Sequence, residues 1–339
     1  MRTVQIGEIQ VPSSVIGYGT YHLADKLDTH DAITSFTKAY GAGINHFDTS
    51  DNYGTELHLG RAVSFGVFPR EEVIIATKTG LGTTAKQQGE WNRSGRRYNT
   101  DPDRVRRHVD RSLEVMGSDV GYIDLYYLHA FDPNVESVDH AQLMLELKAA
   151  GKIIEYGLSN YTGEQLELFL ETCDRHDLPR PAAIQPAYNL VYPDLGDIQL
   201  AQEEGIAVMA HSPLLKGALT TKLVSRIRAE LRGIDAQRGS LANIGQLISD
   251  RLHYLDLDCQ ASGHNLARLA ISWLVRQEGV VALCTPTNDL YLEDCLAGEV
   301  WDYTADPQIA FQLRALQANP SLDEYTDMMQ KVTRQLRGY

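Results

Sequence analysis

Four residues suited to proton transfer occupy corresponding positions in the first half of the chain: Asp48, Tyr53, Lys78 and His129. Asp48 closes the short apolar run Ile44–Phe47, which reads as a buried strand, and Thr49–Asn52 then reads as a loop leading to Tyr53. Lys78 follows Val73-Ile74-Ile75-Ala76-Thr77, and His129 follows Tyr122-Ile123-Asp124-Leu125-Tyr126-Tyr127-Leu128. A lysine directly after an apolar strand is a poor candidate for an ordinary solvated charge; its expected partner is Asp48 on the neighbouring strand. A free tyrosine titrates near ~10, too high for efficient proton donation at neutral pH. A nearby ammonium favours the phenolate and lowers that value by roughly 1–3 pKa units. Asp48 would keep Lys78 charged and oriented. His129 would either donate a hydrogen bond to a substrate oxygen or share the proton with Tyr53. Such a set suits protonation of a carbonyl oxygen while another species attacks the carbon. Taken singly, Asp48 also reads as a loop cap, Lys78 as a rim ion pair and His129 as a satisfied core histidine. Their succession at the ends of consecutive strands is what favours chemistry.

The elements that position them recur in a rhythm of short strand, polar loop and amphipathic helix. Strands are predicted at Val15–Gly19, Asn45–Asp48, Ile74–Thr77, Ile123–His129, Tyr156–Ser159, Ala183–Gln185, Ala207–His211 and Val280–Leu283. Helices are predicted at Asp31–Ala42, Asp103–Met116, Val138–Ala150, Gly163–His176 and Leu266–Glu278, with a further one opening at Gly54-Thr55-Glu56. Alternation of this kind implies parallel pairing through right-handed crossovers. Eight strands are the number that closes into a (β/α)8 TIM barrel, whose chemistry sits at the carboxyl ends of the strands. A doubly wound open sheet is the alternative, but no G-x-G-x-x-G follows the first strand. Before the barrel, Val4–Ile6 and Ile9–Val11 read as a small hairpin turning through Gly7-Glu8. After it, Gln308–Ala318 and Asp323–Gly338 read as C-terminal extra helices. The stretch 214–263 is too long for a structureless loop, and its Val224–Leu231 and Ile244–Leu252 portions read as helical. The whole of 1–339 is expected to be a single barrel domain with that excursion.

The sequence has 339 residues, 43% of them hydrophobic, and a net charge of −14 from 45 acidic and 31 basic residues. An acidic balance disfavours a nucleic-acid backbone or an anionic membrane as main partner. The start lacks an apolar h-region, and no run of about 18 apolar residues is present. Cys173, Cys259, Cys284 and Cys295 are scattered, without metal-ligand spacing or a disulfide framework, so no metal is expected and a reduced cytoplasm fits best. No serine or cysteine nucleophile with a nearby base is evident, which argues against acyl transfer. A hydrolase using paired carboxylates ranks last, since no acid pair lies on adjacent strand ends.

At Gly43–Gly54, Ile75–Lys78, Tyr122–His129, Gly151–Asn160, Gln185–Asn189 and Ser212–Gly217 the chain resembles the aldo-keto reductase superfamily. The resemblance covers nearly the whole chain and implies a (β/α)8 barrel binding NAD(P)H, with no metal. It carries a catalytic tetrad onto Asp48, Tyr53, Lys78 and His129, with Tyr53 as general acid or base. It also implies that Ser159, Asn160 and Gln185 hold the nicotinamide carboxamide, a fitting role for amides that both donate and accept. Gly19 and Thr20 would pass close to the ring or pyrophosphate, and Ser212, Leu214 and Gly217 would line the pyrophosphate.

The chain departs from the family pattern at two places. His211 stands where an aromatic residue, often tyrosine, lies under the nicotinamide; imidazole stacks with less area and titrates near neutrality. After the eighth strand, where the family holds the adenosine end through a glycine turn, serine or basic residues and an asparagine, this chain has Leu283-Cys284-Thr285-Pro286-Thr287-Asn288-Asp289-Leu290-Tyr291-Leu292-Glu293-Asp294-Cys295. Candidate adenosine contacts there are Thr285, Thr287, Asn288 and Glu293. The run holds three carboxylates and no Lys or Arg. Carboxylates repel a 2′-phosphate and tolerate a free ribose hydroxyl, so the run leans towards NADH over NADPH. Thr287 and Asn288 remain able to serve a phosphate as neutral donors.

Substrate contacts are expected from Tyr21, His22, Trp91, Arg93, Arg96 and Arg97. The arginines would either receive a polar or anionic small-molecule carbonyl or alcohol, or form a solvated basic loop. The leading function is an NAD(P)-dependent oxidoreductase acting on an aldehyde or ketone, or in reverse on an alcohol or sugar hemiacetal. The alternative is a nucleotide-sensing binding subunit resembling the barrel-shaped partners of potassium channels.

Overall fold

The computed structural model describes residues 1–21, 23–80, 99–191, 196–227 and 239–318. Ten strands are named here in chain order: β1 (Thr3–Val4), β2 (Ser13–Ser14), β3 (Ile16–Gly19), β4 (His46–Asp48), β5 (Ile74–Thr79), β6 (Ile123–Leu128), β7 (Ile153–Ser159), β8 (Ala183–Gln185), β9 (Ala207–Ala210) and β10 (Val280–Cys284). β3 to β10 close into a parallel barrel in the order β10-β3-β4-β5-β6-β7-β8-β9, the predicted (β/α)8 architecture. Its strands are those expected, with altered ends. β5 runs on to Thr79 because Lys78 and Thr79 find partners in Tyr127 and Leu128 of β6, so Lys78 lies within the ladder rather than just beyond it.

The N-terminal hairpin is present with a different pairing. Thr3 pairs with Ser14 and Val4 with Ser13, so the predicted Val4–Ile6 and Ile9–Val11 arms are not the ladder. Instead Gln5 Nε2 bridges the carbonyls of Gly7 and Ile9, at 3.0 and 2.7 Å. Ile6 and Ile9 turn inward onto Ile74, Leu125, Ala207 and Val281, plugging the amino end of the barrel. Burying two isoleucines, worth about 1.5–3 kcal/mol each, outweighs extending a two-stranded ladder in water.

β4 illustrates how a strand of alternating character aims the site. Phe47 faces outward into an aromatic cluster, with its ring 5.6 Å from Phe36 of helix α1 (Thr29–Gly41), 6.0 Å from Tyr18 and 4.8 Å from Phe68. Successive side chains of a strand point to opposite faces, so His46 and Asp48 point into the barrel. The crossover helices start where capping residues dictate. Asp28 caps α1 through the Asp31 N–H, Asp101 caps α3 (Pro102–Met116) through Arg104, and Thr162 with Gln165 forms a capping box on α5 (Gly163–His176). Between them lie α2 (Glu56–Ser64) and α4 (Ser137–Ala149); α6 (Gly196–Glu203), with only Ile198 and Ala201 buried, offered little periodic signal.

The chain divides into two compact units. One comprises Met1–Pro186, Gly196–Met209 and Glu278–Leu292 and holds the barrel described above. The other comprises Ala187–Leu195, Ala210–Gln277 and Glu293–Tyr339. Within it the long excursion is folded, as expected, through a helical stretch at 221–227 and a helix at Gly239–Ala261, which contains the predicted Ile244–Leu252. Buried Asp256 ties these together, accepting from Thr221 Oγ1 at 2.8 Å and from the backbone of Leu266 at 2.9 Å. Helix Leu266–Leu274 ends four residues earlier than predicted, and Pro307–Gln317 is the first of the expected terminal helices. The second, Asp323–Gly338, lies outside the described residues, as does the end of Val224–Leu231.

Gly157 on β7 makes room for the Tyr127 ring inside the barrel: a Cβ there would fall 2.5 Å from Tyr127 Cε1 and 2.6 Å from the Ala183 carbonyl oxygen. Gly157→Ala is therefore expected to lower stability by about 1–3 kcal/mol through overpacking. Equilibrium urea unfolding measures this, and a midpoint matching wild type would refute the packing account.

Candidate active site

Asp48, Lys78 and Gln185 converge at the carboxyl end of the barrel from β4, β5 and β8. Lys78 Nζ donates to Asp48 Oδ1 at 2.6 Å and to the Thr49 carbonyl at 2.8 Å. Gln185 Nε2 donates to Asp48 Oδ2 at 2.8 Å, so each carboxylate oxygen has its own N–H donor. The pair is out of water, with side-chain exposures of 0% for Lys78 and 5% for Asp48. Burial pulls the Lys78 ammonium below its ordinary range, and the charge of Asp48 pulls it back.

The loop after β4 is drawn over this pair by backbone hydrogen bonds. Thr49 N–H reaches the Ala76 carbonyl at 2.8 Å and Asp51 N–H the Lys78 carbonyl at 3.1 Å, while Tyr53 N–H closes a turn onto Ser50 O at 3.0 Å. The Tyr53 ring centroid consequently lies 5.3 Å from the Lys78 ammonium. It lies 6.0 Å from the His129 ring, edge to face, and 5.0 Å from the ring of Tyr21. His129 is held just past β6 by its N–H on the Thr79 carbonyl, at 2.9 Å. All four candidate catalytic residues are thus brought together.

Ser159 and Asn160 follow at the end of β7. Ser159 Oγ donates to the Gln185 carbonyl at 3.0 Å, and Asn160 Nδ2 donates to the His129 carbonyl at 2.9 Å and to Ser159 Oγ at 3.0 Å. Asn160 adopts a left-handed backbone, φ 58°, a conformation Asn tolerates better than most residues. Gly19 passes close to the segment after β10, since a Cβ there would stand 3.3 Å from Thr285 Oγ1. Thr20 is buried with both its N–H and its hydroxyl on the Asp48 carbonyl, at 2.9 and 3.0 Å, which makes it scaffolding. Asn288 accepts from Tyr291 N–H at 2.9 Å, capping helix Asp289–Val300; Thr287 is half-buried just before it.

In the second unit, His211 Nδ1 lies 3.1 Å from Ser212 Oγ. Ser212, Leu215, Lys216 and Gly217 all have positive φ, next to buried Leu214. Within this turn the Leu215 and Gly217 N–H groups are bonded to the carbonyls of Ser212 and Leu214, at 2.9 and 2.7 Å. Glu293, also in this unit, is exposed. His22, Trp91, Arg93, Arg96 and Arg97 lie outside the described residues, so of the candidate substrate contacts only Tyr21 has a described position. Among the described residues no cluster of ligating side chains could hold a metal ion.

A sequence profile of the Aldo/keto reductase family matches residues 15–301. The chain belongs to this family. Relatives include the L-glyceraldehyde 3-phosphate reductase of Escherichia coli O157:H7, 28% identical over 81% of this chain and 80% of that protein. Aldo-keto reductase YhdN of Bacillus subtilis is 29% identical over 82% of each chain. The NADH-specific methylglyoxal reductase of Escherichia coli K12 is 26% identical over 84% of this chain and 88% of that protein. The family and these reductases support an oxidoreductase.

Contacts that the sequence did not announce complete the site. Gln185, which the family resemblance puts on a carboxamide, holds Asp48 here. Ser50, in the loop after β4, lies 3.3 Å from His129 Nδ1 and donates to the Lys78 carbonyl at 2.9 Å. Its nearness to Asp48 was the available signal, but which loop hydroxyl faces inward depends on the turn.

His46 lies on the inward face of β4, fully buried, with Nδ1 2.9 Å from Ser13 Oγ and no hydrogen-bond partner at Nε2 among the described residues. Burial pushes its pKa down to about 4 from 6.5, Asp48 opposing and Lys78 adding to the effect. The unfolded chain therefore binds a proton below pH 6.5 that the folded state refuses until about pH 4. Stability contributed above pH 6.5 is lost as pH falls through that window, by about 3 kcal/mol at 1.36 kcal/mol per pKa unit. Urea unfolding at a series of pH values should give His46→Gln a visibly flatter acid limb than wild type. Parallel limbs would refute the assignment.

Proposed function

We propose that this protein is a nicotinamide-dependent reductase of small polar aldehydes or ketones, reversible on the corresponding alcohols. The observation that carries the reading is the buried Asp48–Lys78 pair with the Tyr53 ring 5.3 Å from the ammonium and His129 beside it. Tyr53 holds the proton and delivers it to the carbonyl oxygen. Lys78 stabilises the phenolate left behind, and Asp48, anchored by Gln185, keeps Lys78 charged and in place. The nucleotide, when bound, supplies hydride to the carbonyl carbon.

Ser159, Asn160 and Gln185 carry the hydroxyl and amide groups that recognition of a nicotinamide carboxamide calls for. Ser159, Asn160 and Gln185 form one hydrogen-bonded rim beside Asp48, and the left-handed backbone at Asn160 is the kind of unfavourable conformation that functional sites retain. Gly19 and Thr285 are assigned to the same nucleotide by their close approach. We further assign NADH as the preferred nucleotide. Lys38 is matched by Asp289 at 2.6 Å and Arg268 by Asp294 at 2.8 Å, which leaves each cation already spoken for by a carboxylate. One relative bears the name NADH-specific methylglyoxal reductase. The four cysteines are buried and none forms a disulfide among the described residues, which suits a reducing cytoplasm.

Among the described residues no helix is long and apolar enough to cross a membrane. Methylglyoxal and L-glyceraldehyde 3-phosphate, named for the relatives, are the first substrates to assay. Tyr53→Phe should lower kcat by about 10²–10⁴-fold while nucleotide affinity, read by fluorescence titration, stays close to wild type. Equal turnover by wild type and Tyr53→Phe would sink the mechanism. In the same titration NADH should bind more tightly than NADPH; the reverse order overturns the nucleotide assignment. Tight nucleotide binding without turnover of any carbonyl would favour the nucleotide-sensing alternative.

A further inference from the structure

The chemistry just described uses His129 but does not say which of its nitrogens carries the titrating proton. Ser50 is the group that bears on it. The Ser50 hydroxyl lies within reach of three groups: the Lys78 carbonyl at 2.9 Å, Asp51 Oδ1 at 3.2 Å and His129 Nδ1 at 3.3 Å. The Lys78 carbonyl, a pure acceptor, makes the shortest of these approaches and so is the favoured taker of the single hydroxyl proton. Towards His129 the Ser50 oxygen is then an acceptor, and Nδ1 must carry hydrogen in both charge states of the ring. Nε2 is left as the nitrogen that gains and loses a proton.

Asp51 does not stand alone. Its second oxygen accepts from Thr79 Oγ1 and lies 3.0 Å from Nδ1 of His108, a partly exposed residue of α3. Ser50 and Asp51 on the loop after β4 and Thr79 at the end of β5 thus form a polar arm running outward from the ring of His129, with His108 of α3 beside its outer end.

We propose that this arm fixes the tautomer of His129 and supports its imidazolium, with Ser50 and Asp51 as positioning residues and Thr79 holding Asp51 in place. The inference rests on the reductase reading for its consequence in catalysis, though not for its geometry. The arrangement follows the logic by which a hydrogen-bonded partner at one imidazole nitrogen orients the other for chemistry. Asp51 is one hydroxyl removed from the ring. Its negative charge favours the protonated form of His129, which alone carries a donor on Nε2. Among the described residues the other titratable groups near His129 include Tyr53 on the same loop as Asp51 and Lys78 on β5; Asn160, after β7, meets it through a neutral amide. Glu56 and His108, farther out, interact with Asp51 rather than with the ring.

The first test uses the wild-type protein without nucleotide. Nitrogen-15 NMR of labelled histidines distinguishes a protonated from an unprotonated ring nitrogen, and neutral His129 should carry hydrogen on Nδ1 and none on Nε2. The reverse tautomer overturns the proposal outright. The second test is kinetic. Ser50→Ala should lower kcat/KM for carbonyl reduction by about 10–100-fold, as loss of an orienting partner does elsewhere. Asp51→Asn, which keeps the shape and removes the charge, should move the His129-dependent limb of the kcat/KM profile to lower pH, because imidazolium loses its carboxylate. Profiles of both variants that superimpose on wild type in shape and position overturn the proposal. Nucleotide affinity of each variant is measured alongside to separate loss of fold from loss of the arm. Should wild type reduce no carbonyl while NMR finds the Nδ1–H form, the arm stands and the reductase reading falls.

Discussion

Lys78 brings a full positive charge into the centre of the barrel, where its side chain has no exposure to water. Such a charge is tolerated only if paired and hydrogen-bonded, because desolvation costs several kcal/mol per ion. Asp48 supplies the counter-charge and the Thr49 carbonyl a second acceptor. Asp48 in turn needs its other oxygen satisfied, which Gln185 does from across the barrel. The site is thus a closed set of mutual obligations, and strands β4, β5 and β8 must be in register for any part of it to exist. A buried ion pair is a poor source of stability. Its retention here is better understood as the means of placing an ammonium beside a phenol.

The rest of the barrel serves that placement by packing. Outward-facing Phe47, locked among Phe36, Tyr18 and Phe68, obliges its strand neighbours His46 and Asp48 to point inward. Gly157 admits the Tyr127 ring beneath Lys78, whose ammonium lies 5.6 Å from that ring. Ile6 and Ile9 stopper the amino end. His46, on the inward face of β4, stays neutral because its surroundings are dry.

Charge was the property most altered between sequence and structure. Read locally, the run after β10 is acidic and unmatched. In three dimensions Asp289 meets Lys38 and Asp294 meets Arg268, so two of its carboxylates are neutralised by residues far away in the chain. The proposed preference for NADH consequently rests on matched cations rather than on bare acidic repulsion.

The sequence by itself determined the strand and helix rhythm, the number of barrel strands and the rank of Asp48, Tyr53, Lys78 and His129 at their ends. These are local properties: period-2 alternation, helix caps and apolar runs are written over a few neighbouring residues. The same reading misassigned the hairpin ladder, since whether Ile6 and Ile9 pair or plug depends on a cavity made by four distant strands. Which partner each polar group takes was likewise left to the tertiary structure. Gln185 reaches Asp48 across 137 positions, Ser50 reaches His129 across 79, and Lys38 reaches Asp289 across 251. Hydrogen bonds and ion pairs act over about 3 Å in space whatever the separation along the chain, so only closure of the barrel in one register could select them.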